Sequence, residues 1–131
     1  MDPQKLEQVK AIITSHPEIK LAYLFGSQAT GNVGPMSDYD FAIYIDGLNS
    51  KERFDLKINL MTAISSILKT DAIDVVIIND LDMPELAYDI IKEGIMIHEQ
   101  EPYKILVEPH ILNQYFDFHT MLKRHGLTRV P

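Results

Sequence analysis

Cysteine is missing from the chain altogether, which excludes a disulfide framework and any thiolate metal site. Also missing is an apolar run approaching the roughly 18 residues that a membrane span requires, and the N-terminus shows no signal-peptide pattern. A prokaryotic cytoplasmic setting, away from any membrane, is therefore expected. Cations are in the minority: 12 Lys and Arg stand against 19 Asp and Glu, a formal net charge of −7. A protein that grips a nucleic-acid backbone is normally basic along its contact face, and no Lys/Arg stripe is visible here. Direct binding of a long nucleic acid is not expected, whereas a small nucleotide brought with metal ions is compatible with this balance. There is no internal repeat, low-complexity tract or domain linker.

What is present is an ordinary globular composition, 46% hydrophobic and 24% charged over 131 residues, enough for one domain with a core of its own. Asp2 and Pro3 read as an N-cap and first helical residue, and Leu6, Val9, Ile12 and Ile13 recur at helical spacing up to His16-Pro17, predicting a helix over 3–15. IKLAYLFG (19–26) reads as a strand ended by Gly26. Residues 27–37 form a loop rich in Gly, Ser, Asn and Pro, with room for one helical turn after Ser27. DYDFAIYI (38–45) is a second strand, and 50–69 a long helix capped by Ser50, with Phe54, Ile58, Met61, Ile64 and Leu68 as its apolar stripe. AIDVVIIN (72–79) is a third strand, continuous enough in Val and Ile to be central in a sheet. Asp82 and Pro84 start a helix that Gly94 ends, IMIHE (95–99) is a short fourth strand, and the chain is helical again from Tyr103, interrupted at Pro109, with 110–126 as the last helix. The order α-β-β-α-β-α-β-α predicts an α+β fold, a small mixed sheet flanked by helices.

The chemistry concentrates in FGSQATGNVGPMSDYDFAIYID (25–46). Residues i and i+2 of a strand share a face and lie roughly 6.5–7 Å apart, so Asp38 and Asp40 project together, opposite Tyr39, Phe41, Ile43 and Ile45. The third strand carries another carboxylate, Asp74, inside an otherwise apolar run. If the second and third strands are neighbours, the three converge. Like charges in a poorly solvated place are costly unless protonated or met by cations. Hard oxygen ligands on fixed strands suit Mg²⁺, which takes one or two carboxylates and shares its other positions with water and phosphates. Two such ions can activate an attacking oxygen and stabilise a leaving one. Gly26 lets backbone approach a phosphate, and the Ser27 hydroxyl with nearby N–H groups can hold its oxygens.

Gly26-Ser27, ten residues, then Asp38-Tyr39-Asp40 spells G-S-x10-D-x-D, four fixed positions that arise by chance in roughly one chain of this length in a thousand. With this spacing falling strand–loop–strand and Asp74 on the next strand, the chain resembles the DNA polymerase β-like nucleotidyltransferases. At this length it is most similar to the minimal nucleotidyltransferase (MNT) antitoxins encoded beside HEPN-domain RNase toxins. The resemblance covers about residues 5–100, a catalytic core; over the C-terminal helical segment 101–131 it is a general likeness. It implies the polymerase β-like fold and ATP as substrate. It implies two Mg²⁺ ions, with Mn²⁺ as a substitute, held by Asp38, Asp40 and Asp74, of which Asp74 also helps to deprotonate the acceptor hydroxyl. It further implies β- and γ-phosphates held by Gly26 and Ser27. Many relatives carry Arg directly after Gly-Ser; here Gln28 removes that phosphate cation.

The activity implied is transfer of AMP from ATP to a hydroxyl, a tyrosine by family precedent, on a cognate HEPN toxin, with the two proteins assembling as a hetero-oligomer. Two alternatives are an antitoxin that only masks the toxin by binding, and a small-molecule nucleotidyltransferase. Tyr103, Tyr115, Phe116, Phe118, Met121 and Leu122 crowd the C-terminal segment; packing into the core and presentation to a partner are both compatible with that crowding. His16, His98, His110, His119 and His125 show no paired spacing for metal binding. Asn79-Asp80 reads as a turn.

Overall fold

Asp2 opens the first helix as expected. Its side chain accepts a hydrogen bond from the Gln4 N–H at 3.2 Å, Pro3 takes the first helical position, and α1 runs Pro3–Thr14. The structure, a computed structural model, describes residues 1–30 and 38–126. The part of the expected loop over 31–37 and the chain beyond 126 lie outside the described residues. After α1 come β1 (Ile19–Phe25), α2 (Ser27–Thr30), β2 (Tyr39–Ile45), α3 (Ser50–Leu68), β3 (Ile73–Ile77), a 3₁₀ turn over Ile78–Asp80, α4 (Pro84–Glu93), β4 (Ile95–Glu99) and α5 (Tyr103–Arg124).

The strands form one mixed sheet in the order β3-β2-β1-β4. β1 pairs antiparallel with β2 and with β4, and β2 pairs parallel with β3. A register shift between Ile19 and Leu21 puts Lys20 at an irregularity in β1, and such a bulge flips strand parity. Ile19 and Ala22 thereby join one core cluster while Leu21 and Tyr23 join the other.

Two helical layers cover the sheet. On one face, Val9 and Ile13 of α1 and Leu56, Leu60 and Ile64 of α3 pack on Phe41, Ile43, Ile45 and Val75. On the other, Ala87 and Ile90 of α4 and Val107 and Ile111 of α5 pack on Leu21, Tyr23 and Ala42. The Tyr23 hydroxyl, in a side chain only 1% exposed, donates to Glu108 Oε2 at 2.7 Å and ties α5 to the middle of the sheet.

Four of the corrected expectations concern β3, α3 and α5. β3 is an edge strand, not a central one; α3 roofs Ile73, Val75 and Ile77 on one face, so a nearly continuous apolar run arises with a neighbouring strand on one side only. The buried face of α3 is Leu56, Leu60 and Ile64, while Phe54 and Ile58 of the expected stripe are 56% and 44% exposed. The cap of α3 is Asn49 rather than Ser50: Asn49 accepts from the Glu52 N–H at 2.9 Å and Glu52 accepts from the Asn49 N–H at 3.0 Å, a complete capping box. α5 runs unbroken through Pro109. That proline deletes the hydrogen bond to the Ile105 carbonyl, but both residues are exposed, so water can satisfy the acceptor.

Gly94 ends α4 as expected, though in extended rather than left-handed backbone. It is needed for space, since a Cβ there would run into the Ile90 carbonyl oxygen. Met83, not Asp82, precedes Pro84 as the cap residue of α4. The 3₁₀ turn at Asn79-Asp80 lengthens the β2–β3 pairing: the Asn79 side-chain amide accepts from the Ile45 N–H at 2.9 Å and donates to the Ile45 carbonyl at 2.6 Å, as a further strand residue would.

Candidate active site

β2 and β3 run side by side with Asp40 and Asp74 as direct register partners. Tyr39, paired with Ile73, and the Tyr39 N–H donating to the Ala72 carbonyl at 2.8 Å anchor the start of β2 on β3. Even-numbered residues of β2 turn away from α3, and Ala42 lies under α4 and α5. Asp40 shares that face by strand parity, at the end of the sheet where β1 stops. Asp38 immediately precedes β2 and is exposed, as is Asp74, whereas Asp40 is half-buried.

β1 brings the Gly-Ser pair to the same end, with Phe25 partnering Asp40 in register. Gly26 follows at φ +72°, a left-handed conformation that an L side chain rarely adopts. A Cβ on it would lie 2.5 Å from Asp40 Oδ2. Two independent constraints, backbone conformation and space, thus select glycine. The Ala29 N–H donates to the Gly26 carbonyl at 3.1 Å, closing the turn into α2, whose first residue is Ser27.

The electrostatics follow from this crowding. The Asp40 carboxyl is held above the usual carboxylate range, first because burial disfavours its charged form, then because Asp74 and Asp38 repel it. All five residues singled out from the sequence therefore meet at one corner: Gly26 against Asp40, Ser27 beside Gly26, Asp74 in register with Asp40, and Asp38 acting on Asp40 through its charge. As they stand, the described acidic and imidazole side chains nowhere form a group of three or more that could hold a metal ion unaided.

Sequence reasoning missed two neighbours of this corner. Phe54, expected in the core, and Lys57 line an open cleft with Asp74. Their signal was weak because Phe54 fits an apolar helical stripe as well as a cleft wall. The C-terminal aromatics divide. Tyr115 stacks on Tyr88 of α4 at 3.8 Å between ring centroids, and Tyr103 packs against the core with its hydroxyl donating to Asp46. Phe116 and Met121 remain exposed.

A family model described as polymerase β, nucleotidyltransferase, matches residues 7–103. The chain belongs to this nucleotidyltransferase family. The matched region runs from α1 to the first residue of α5 and contains Gly26, Ser27, Asp38, Asp40 and Asp74. The protein adenylyltransferase MntA of Aphanizomenon flos-aquae is 32% identical over 99 residues, 68% of this chain and 63% of that protein. The chain thus aligns with less than two thirds of that relative's length. A chain in the crystal structure of a toxin–antitoxin with AMP-PNP superposes with a TM-score of 0.71 at 21% identity, covering 95% of this chain and 94% of its own. A chain from the complex of tri-AMPylated Shewanella oneidensis HEPN toxin with MNT antitoxin gives a TM-score of 0.70 at 19% identity, with the same two coverages. These likenesses establish the polymerase β-like fold that the sequence led one to expect.

Proposed function

We propose that the chain is an MNT antitoxin that transfers AMP from ATP to a hydroxyl, a tyrosine in the leading case, of a cognate HEPN-type RNase toxin in the cytoplasm. The observation that carries the reading is the in-register pair Asp40–Asp74, with Gly26 pressed against Asp40. The curated relative named a protein adenylyltransferase, and neighbours that hold AMP-PNP or accompany a tri-AMPylated toxin, support it.

Gly26 and Ser27 hold the β- and γ-phosphates. Gly26 brings unhindered backbone to them, and Ser27 adds a hydroxyl beside the N–H groups that open α2. The donor set fits divalent cations. A carboxyl held above its usual range by burial first and then by two like charges is a place where a cation relieves repulsion. Mg²⁺ needs only one or two carboxylates when water and phosphates complete its octahedron, which accords with the lack of a self-sufficient metal cage among the described residues. Asp38 and Asp40 would hold two Mg²⁺ ions, or Mn²⁺, with Asp74 completing one shell; bound there, they would neutralise phosphate charge at the reacting centre. Asp74 accepts the proton of the attacking hydroxyl. AMP on the toxin adds charge and bulk that can exclude RNA.

The test is transfer of label from α-labelled ATP to the cognate HEPN toxin, with the native chain and with Asp38→Asn/Asp40→Asn. Label on the toxin with the native chain alone is expected. Neutralisation of the toxin without label by both proteins means masking by binding and overturns the enzymatic reading.

A further inference from the structure

The segments that build the carboxylate corner bring no positive charge of their own. Residues 21–50 and 70–91 contain no Lys, Arg or His, so the Gly-Ser turn, β2 and β3 offer a triphosphate no cationic side chain. Any cation that this chain supplies there comes from an element packed beside the sheet. Among the described residues, the half-buried Lys and Arg side chains are Lys5, Lys10, Lys20, Arg53 and Lys57. Lys5 donates to the Ile67 carbonyl and Lys20 to the Pro17 carbonyl. Lys10 pairs with Glu7 at 3.6 Å, and Arg53 pairs with Asp80 at 2.7 Å. Lys57 alone of the five has neither a hydrogen bond nor an ion pair with the described chain. A half-buried ammonium gives up part of its hydration, and no contact here returns it. Lys57 and Asp74 line the same cleft, about 430 Å³, at the free edge of β3.

We propose that Lys57 is the site's own cation and that its ammonium bonds a nonbridging oxygen of the nucleotide's α-phosphate. The inference rests on the adenylyl-transfer reading above and adds a substrate-binding residue to it. The course of α3 puts Lys57 within reach. Arg53 is fastened to Asp80 beyond the end of β3, and Met61 shares a pocket with Ile73 at its start. Lys57 lies one helical turn from each, so its long flexible stem can follow β3 toward Asp74. Across the sheet the order is Gly26-Ser27 at the end of β1, Asp40 on β2, Asp74 on β3 and Lys57 beyond the edge. A triphosphate whose β- and γ-phosphates rest at the turn carries its α-phosphate toward Asp40 and Asp74, the side that Lys57 borders. Triphosphate and three carboxylates together outweigh two divalent cations in charge, and charge is redistributed over the phosphoryl oxygens in the transition state. The acceptor oxygen bonds to the α-phosphorus as the bond to the bridging oxygen breaks. Pyrophosphate leaves with the electron pair, and the acceptor's proton passes to Asp74. Lys57 keeps its proton throughout and acts by its charge.

The test is calorimetry on the full chain with Mg²⁺ and either ATP or inorganic pyrophosphate, which matches the β- and γ-phosphates and lacks the α. Lys57→Met keeps the length of the side chain and removes its charge. It is expected to raise the Kd for ATP roughly tenfold, the size of one charge-assisted hydrogen bond, and to leave the Kd for pyrophosphate unchanged. Lys57→Arg is expected to restore ATP binding. An unchanged ATP Kd in K57M overturns the assignment. Equal losses for ATP and pyrophosphate also overturn it, since Lys57 then acts on the ions or on the phosphates at the turn. If K57M weakens ATP alone but the native chain labels no hydroxyl from α-labelled ATP, the Lys57 contact stands and the adenylyl-transfer reading is overturned. Absence of ATP binding by the native chain overturns both.

Discussion

Gly26 and Asp40 are packed so closely that a single added carbon on the glycine would sit 2.5 Å from Asp40 Oδ2. The contact joins the two halves of the candidate site, the Gly-Ser turn after β1 and the carboxylates on β2. Gly26→Ala is expected to cost roughly 1–2 kcal/mol for the left-handed backbone. It is also expected to lower AMP transfer about a hundredfold, because displacing Asp40 by an ångström misaligns the reacting groups. Urea denaturation and labelled-ATP transfer check both; transfer at the native rate would show that Asp40 has room to move without consequence.

The crowding at Asp40 also makes a prediction about pH. Its carboxyl is raised by burial, by Asp74 and by Asp38, so between the ordinary carboxylate pKa and the raised one the folded state binds more proton than the unfolded state. Stability from this group is therefore present in acid, declines as pH rises through that window, and is a net cost at neutral pH. Asp40→Asn should melt above the native protein at pH 7 in EDTA, and the gap should close on acidification. A lower melting temperature at pH 7 would mean that Asp40 is held by bonds stronger than the repulsion.

Metal and nucleotide are expected to bind together. The described side chains form no self-sufficient cage, and Mg²⁺ dehydrates reluctantly, so calorimetry should show weak Mg²⁺ binding alone and much tighter binding with ATP. EDTA should abolish transfer and Mn²⁺ should restore it. Tight Mg²⁺ binding without nucleotide would contradict the shared-shell arrangement.

Tyr23 tests the attachment of α5. Its phenol is pushed well above the usual tyrosine range, chiefly by burial and then by the hydrogen bond it donates to Glu108. Tyr23→Phe should cost about 1.5–3 kcal/mol, as for a bond to a charged acceptor. Chemical denaturation measures the effect, and an unchanged midpoint would show that Glu108 finds an equal partner in water.

The carboxylate corner was legible because its signals are local. The alternation of DYDFAIYI alone puts Asp38 and Asp40 on one face of a strand, and the Gly-Ser turn lies a loop away. Asp2 and Pro3 announce a helix start by the chemistry of one turn.

Other features depended on what lies opposite. Phe54, Ile58 and Met61 recur at helical spacing, and so do Leu56, Leu60 and Ile64; periodicity names two stripes, and only the docking of α3 on the sheet chose which is buried and left Phe54 in a cleft. An edge strand roofed by a helix and a central strand have the same apolar text, so the position of β3 was open. Pro109 stops a helix only where its lost hydrogen bond cannot be made good, and exposure to water decides that. What the sequence alone determined was the set of candidate site residues and the strands that carry them. The pairing of Asp40 with Asp74 and the contact of Gly26 with Asp40 came from the tertiary structure, because register and close approach are properties of two segments at once.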